Sequence, residues 1–228
     1  MIEFTFLMPC LNESETLEFA INEAKSAITR LKLSAEIRIA DNGSSDGSVE
    51  IAIKNGAEVT KVEKRGYGSA LIGGIGAARG KYIIMGDCDG SYDFAHPDLF
   101  IDELRNGAKL VMGNRFKGGI EKGAMSLSHR WGIPFLSALA RWRFKTDVYD
   151  FHCGLRGFHR ETALNLNLSC PGMEFATEMI ARFSENGEKI VQVPTPLRCD
   201  RRSGSSHLRT LRDGFRHLKF ILFNKNLL

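Results

Sequence analysis

The run IIMGDCDGSYDF, Ile83–Phe94, starts apolar and ends in a loop that carries three aspartates, Asp87, Asp89 and Asp93. A short apolar run closed by glycine reads as a buried strand, and the residues after it read as the loop leaving that strand. Asp, Gly and Ser are also common in solvated turns, so the loop gains meaning only from what surrounds it. In an open parallel sheet the ligand crevice lies at the carboxyl ends of the strands, where loops leave and helix N-termini point inward.

Working outward, strands are predicted at Ile2 to Met8, Glu36 to Ala40, Glu58 to Val62, Lys81 to Met85 and Lys109 to Met112. Between them, Leu17, Ile21, Ala24, Ile28 and Leu31 recur at helical spacing, with Asn12 and Glu15 placed as a capping box. Further helices are predicted over Ser48 to Lys54, Gly68 to Ala78 and Pro97 to Arg105. This alternation predicts an α/β protein with a Rossmann-like, mostly parallel sheet flanked by helices. Four polar clusters, PCLNE, DNGSSDG, KRGYGSA and DCDGSYD, then follow four successive strands on one edge. Past Arg115 the pattern loosens into an aromatic, basic helical stretch from His129 to Lys145, a helix from Met173 to Asn186 and a strand at Lys189 to Val193. The expected division is a catalytic body over residues 1–197 and a basic amphipathic tail over residues 198–228.

The chain has 228 residues, 43% of them hydrophobic, which is enough to bury one substantial core. Five cysteines without a CxxC pair argue against a disulfide framework and a structural zinc site, and suit a reducing cytoplasm. No apolar stretch reaches the roughly 18 residues of a spanning helix, so membrane contact is expected to be peripheral, unless segments beyond the terminal FNKNLL add to it. Between Arg198 and Lys219 seven basic residues face two acids, interleaved with Leu208, Leu211, Phe215, Leu218 and Ile221, which suits a basic amphipathic helix on anionic lipid. Trp131, Phe135, Leu139 and Trp142 beside Arg130 and Arg141 suggest a second membrane-facing element.

Two acidic loops repel a bare phosphate, so a nucleotide diphosphate at this edge calls for a divalent cation, Mg²⁺ or Mn²⁺, between carboxylate and phosphate. A dinucleotide-binding oxidoreductase fails on order: Gly74, Gly76 and Gly80 lie in and after a helix and precede a strand. A less favoured alternative, a non-enzymatic basic lipid- or nucleic-acid-binding protein, leaves Asp87 and Asp89 unexplained, because they repel a polyanion unless a metal intervenes.

In this order PCLNE, IADNGSSDGS, KRGYGSALIGGIGAARGKYIIMGDCDGSYD, MGNRF, DFHCGLRGF and RRSGSSHL resemble the inverting family 2 glycosyltransferases, in the branch of the dolichyl-phosphate mannose and glucose synthases. The resemblance implies a GT-A fold, a nucleotide-sugar donor of the GDP-mannose or UDP-glucose type, a divalent cation, and a polyprenyl-phosphate acceptor at the cytoplasmic face of a membrane. It assigns the donor to Pro9, Leu11, Glu13, Asp41, Gly68, Asp87, Cys88 and Asp89, with Gly66 beside them. It makes Asp89 the principal metal ligand. Those synthases commonly carry glutamine where this chain has Ser91, so Ser91 and Asp93 are the further candidate metal ligands. Arg115 matches an arginine facing the two phosphates. Arg130, Arg156 and Arg201 are further acceptor-phosphate candidates, and His207 stands where relatives carry lysine. The expected catalytic set is Asp89, Arg115, Arg130 and Arg201. A phosphate monoester is ionised near neutral pH, so no general base is required. Glu174 and Glu178 are then expected to be structural, and become bases only for the alternative, a hydroxyl acceptor.

Overall fold

The computed structural model describes residues 1–204 and 210–223. Alternating β and α segments run β1 (Phe4–Cys10), α1 (Leu17–Arg30), β2 (Ala35–Asp41), α2 (Ser48–Lys54), β3 (Glu58–Lys61), α3 (Tyr67–Ala77), β4 (Tyr82–Met85), α4 (Asp98–Arg105) and β5 (Leu110–Asn114). There follow α5 (Arg115–Gly118), α6 (Leu127–Phe144), β6 (Arg156–His159), α7 (Arg160–Asn165), α8 (Phe175–Glu185), β7 (Ile190–Pro194) and α9 (Thr210–Phe223). The seven strands form one sheet in the order β3-β2-β1-β4-β6-β5-β7, parallel except where β6 runs antiparallel to β4 and β5. This is the mostly parallel, helix-flanked sheet expected from the alternation, and it agrees with the GT-A fold that the family resemblance implies.

Both faces of the sheet are covered, which is why β1 and β4 read as nearly continuous apolar runs. Phe4, Phe6 and Met8 face one core with Leu17, Ile21 and Phe100, whereas Leu7, Ile83 and Met85 face the other with Leu71, Phe175 and Met179. The glycines of α3 let it settle onto the sheet: a Cβ on Gly74 would stand 2.5 Å from Leu7 Cδ1. Gly73 is likewise filled, by Val62, so both positions are set by packing.

Two sequence expectations change here. Asn12 and Glu15 do not form a capping box. The helix starts later, at Leu17, and Asn12 takes a left-handed φ of 57°. Its Oδ1 accepts the Ser45 N–H at 2.8 Å, while Glu15 accepts from Ser203. Strand β6 was not expected. It has four residues, includes a glycine and starts at Arg156, so it carries no apolar period. The Arg156 guanidinium is buried and donates to the carbonyls of Cys153, Phe151 and Ala176 at 3.0, 3.0 and 2.8 Å, which fixes the turn before the strand.

A buried charge network ties β2 to the sheet. Burial alone would raise the Glu36 carboxyl. The Arg79 N–H, the Arg38 and Arg79 guanidiniums and the Thr5 hydroxyl override it and hold Glu36 down at about 2. A carboxyl held below its ordinary 4.5 stabilises the fold above that pH and loses the contribution as pH falls through 4.5 toward about 2. Acid unfolding of Glu36→Gln should therefore show a flatter stability profile across that window than the native chain. An unchanged slope would remove Glu36 from the acid response.

Candidate active site

The loops after β1, β2, β3 and β4 converge on a cleft of about 400 Å³. One wall carries Pro9, Cys10, Leu11 and Asn42, with Arg65, Gly66 and Tyr67 beside them. The floor carries Glu13, Asp87, Cys88 and Asp89, and the rim is closed by Gly172, Met173, Arg202 and the first turns of α9.

Its electrostatics centre on three carboxylates. Arg202 lies between two of them: its Nε and Nη2 donate to Glu13 at 2.9 and 2.5 Å, and its Nη1 stands 3.4 Å from Asp89 Oδ2. Asp87 accepts the Tyr67 hydroxyl at 3.0 Å. Burial, and then the charge of Asp89, push the Asp87 carboxyl up to about 6. Asp89 is held by Ser91, whose N–H and Oγ–H reach Oδ1 at 2.9 and 2.6 Å. Glu13, Asp87 and Asp89 thus gather on one side of the cleft around Arg202, while Arg65, Arg212 and Arg216 line it elsewhere. Among the described residues no group of three or more His, Cys, Asp or Glu side chains converges as a metal cage. One or two carboxylates completed by phosphate oxygens and water is the usual way a protein holds Mg²⁺, and Asp87 and Asp89 fit that arrangement.

The other expected residues divide. Pro9 and Leu11 line the cleft with Glu13. Asp41 does not line it: its carboxylate accepts the Gly43 and Ser44 amides, both at 3.1 Å, and the next residue, Asn42, takes the cleft position. Gly66 and Gly68 are small because the 170–172 segment crosses them. A Cβ at Gly66 would lie 2.1 Å from the Pro171 oxygen, and one at Gly68 equally close to the Cys170 oxygen. Asp93 turns to Arg198 and His96, at 2.6 and 3.0 Å, away from the residues lining the cleft.

Among the arginines, Arg115 is buried with both prongs on Asp150 at 2.7 Å, so its guanidinium is already committed. Arg156 is interior, as described above. Arg130 is exposed beside Trp131 in a shallow hollow with Phe116, Ile120 and Leu127. Arg201 lies over the Phe19 ring at 4.2 Å, its N–H on the Asp89 carbonyl. His207 lies outside the described residues. The Glu178 carboxylate accepts the Ser169 and Cys170 amides, and Glu174 pairs with Arg216 at 3.0 Å, so both serve structure. Sequence reasoning missed Arg202, Asn42, Arg65, Tyr67 and Asp150. Arg202 was counted only as tail charge, although it adjoins Arg201 in the same motif.

Helix α9 buries Phe220 and Ile221 against the core, while Phe215 and Phe223 stay 66% and 70% exposed. On α6, Trp131, Phe135 and Trp142 are 80%, 67% and 75% exposed. No helix among the described residues is long and apolar enough to cross a membrane.

The profile of the family described as Glycosyl transferase family 2 matches residues 5–164. The chain is 36% identical over 221 residues to a low-salt glycan biosynthesis hexosyltransferase, Agl6, of Haloferax volcanii, covering 96% of this chain and 52% of that protein. The chain thus spans about half the length of that relative. It is 29% identical over 213 residues to a dolichyl-phosphate hexose transferase of the same organism, covering 91% and 90%. Among solved structures, glucosyl-3-phosphoglycerate synthase from Mycobacterium tuberculosis with Mn²⁺, UDP and phosphoglyceric acid superposes with a TM-score of 0.70 at 26% identity, covering 96% of this chain and 78% of that one.

Proposed function

We infer the reaction from one premise: the chain belongs to glycosyl transferase family 2. It moves a hexose from a nucleoside diphosphate sugar to a polyprenyl phosphate, with inversion at the anomeric carbon. The observation that carries this reading is the cluster of Glu13, Asp87 and Asp89 beside the Arg202 guanidinium in a nucleotide-sized cleft. The nucleoside lies against Pro9, Leu11, Asn42 and Arg65, and the diphosphate reaches toward Asp89 and Arg202. Asp89 and Asp87 would hold a Mg²⁺ or Mn²⁺ ion, which when bound neutralises charge on the departing nucleoside diphosphate. Arg202, already fixed by Glu13 and Asp89, supplies a donor fork for phosphate oxygens.

The acceptor follows from which groups are engaged. Glu174 and Glu178 are tied to Arg216 and to the 169–170 amides, which leaves neither carboxylate poised to take a proton. A phosphate acceptor needs none, being ionised near neutral pH. Arg130 and Arg201 guide it, and the exposed aromatics of α6 and α9 with their neighbouring arginines rest on the cytoplasmic face of the membrane. The division expected at residue 197 gives way here: Arg202 and the first turns of α9 line the cleft, so the catalytic body takes in these parts of the basic tail, whose exposed Phe215 and Phe223 face the membrane. The relative that acts as a dolichyl-phosphate hexose transferase, covered over 90% of its length, supports the same acceptor class.

The test uses matched acceptors. A short polyprenyl phosphate should accept hexose from a nucleotide-sugar panel in the presence of Mn²⁺, and the corresponding polyprenol should not. In parallel, Trp131→Ser with Trp142→Ser should weaken binding to anionic vesicles while leaving UDP-sugar or GDP-mannose affinity unchanged. Equal transfer to both acceptors would favour a hydroxyl acceptor, such as a small phosphorylated acid.

A further inference from the structure

We propose that Cys10 and Cys88 form a redox-modification site, a dithiol under the cleft floor that closes reversibly to a disulfide. Cys10 ends β1, and Cys88 lies three residues beyond β4. The parallel ladder pairs Leu7 with Met85, and the Gly86 N–H still donates to the Leu7 carbonyl at 3.2 Å. β4 ends at Met85, and in the loop beyond it the Cys88 thiol still reaches the Pro9 carbonyl of β1, which keeps Cys88 beside the end of that strand and Cys10. Neighbouring strands lie about 4.8 Å apart, within the roughly 4.4–6.8 Å of Cα separation that a disulfide spans.

Side-chain direction agrees with register. Both cysteines belong to the same core face and line the same cleft. Each is also held in place: the Cys88 S–H donates to the Pro9 carbonyl at 3.2 Å, and Cys10 Sγ lies 3.8 Å from Ser44 Oγ. Closing the disulfide replaces these two contacts. Both residues line the cleft although Cys10 is 3% and Cys88 1% exposed, so a small oxidant reaches them through the cleft and a bulky reagent does not. The other three cysteines do not line it.

The oxidant is a peroxide. One sulfur attacks a peroxide oxygen and expels water, giving a sulfenic acid; the second sulfur attacks the first and expels its hydroxyl as a second water. Two sulfurs together lose two electrons and two protons, and hydrogen peroxide becomes two waters. A dithiol reductant reverses the bond by exchange. Because Cys88 sits between Asp87 and Asp89, and the β1 loop carries Leu11 and Glu13, the bond changes the spacing of the carboxylates across the cleft floor. That last consequence rests on the donor reading given above; the bond itself does not.

The experiment treats the full chain with hydrogen peroxide, alkylates remaining thiols under denaturing conditions and maps the digested peptides by mass. The expected product is a Cys10–Cys88 linked peptide lacking two hydrogens, with Mn²⁺–UDP affinity lowered at least tenfold and restored by dithiothreitol. Cys10→Ser should give no linked peptide, and its nucleotide affinity should be the same before and after peroxide. Alkylation of both Cys10 and Cys88 in the treated native chain, or a sulfinic acid at either without a link, would overturn the proposal, whatever the variant does. Failure of the reduced native chain to bind Mn²⁺–UDP would instead strike the donor reading.

Discussion

Replacing Asp89 by asparagine is expected to lower Mn²⁺-dependent transfer at least a hundredfold, about 2.7 kcal/mol of transition-state stabilisation, while moving the folding transition little. The geometry separates the two effects. Asp89 Oδ1 accepts the Ser91 N–H and Oγ–H, and an asparagine carbonyl oxygen can keep both bonds. What the substitution removes is the charge facing the cleft and Arg202 across 3.4 Å. A metal held by one or two carboxylates and phosphate oxygens cannot spare that charge. Thermal unfolding gives the second readout: Mn²⁺ with UDP should raise the native midpoint by mass action, and Mn²⁺ should add nothing for Asp89→Asn. Asp87 offers a third, since the Asp89 charge helps to hold its carboxyl at about 6; in Asp89→Asn it should titrate lower. Near-native metal-dependent turnover in this variant would end the assignment of Asp89 to the metal.

The same loop explains how far sequence reaches. IIMGDCDGSYDF was legible because a buried parallel strand is apolar throughout and its end must turn polar, and that boundary is local. The four polar loops were legible for the same reason, and parallel order placed them on one edge. Whether a given polar residue faces the ligand was not legible. Asp41 and Asn42 are neighbours at one strand end, and only the backbone decides that Asp41 closes its own turn while Asn42 lines the cleft. Contacts between distant segments were equally hidden. Arg202 reaches Glu13 across 189 positions, and Asp150 reaches Arg115 across 35. Strand β6 escaped because a short strand begun by a buried arginine has no apolar period to read.

Asp150→Ala should destabilise the fold by about 3–5 kcal/mol, because it strands a buried cation. In a chain of this size that is a fall of roughly 6–20 °C in Tm. Asp150 is fully buried, and its oxygens accept from the Arg115 N–H at 3.1 Å and from the guanidinium at 2.7 Å twice. Removing both charges is a different perturbation. Arg115→Met with Asp150→Leu leaves no ion unpaired, and should cost much less than the two single changes added together. Arg115→Lys separates packing from chemistry. Lysine keeps the charge without the planar fork that grips both Asp150 oxygens. If Arg115 acts through its bond to Asp150, turnover should fall in step with Tm across Arg115→Lys, Asp150→Ala and the double variant. A large loss of turnover in Arg115→Lys at an unchanged Tm would place its guanidinium on the reacting phosphates instead, and would mean that the ion pair opens when donor and acceptor are bound.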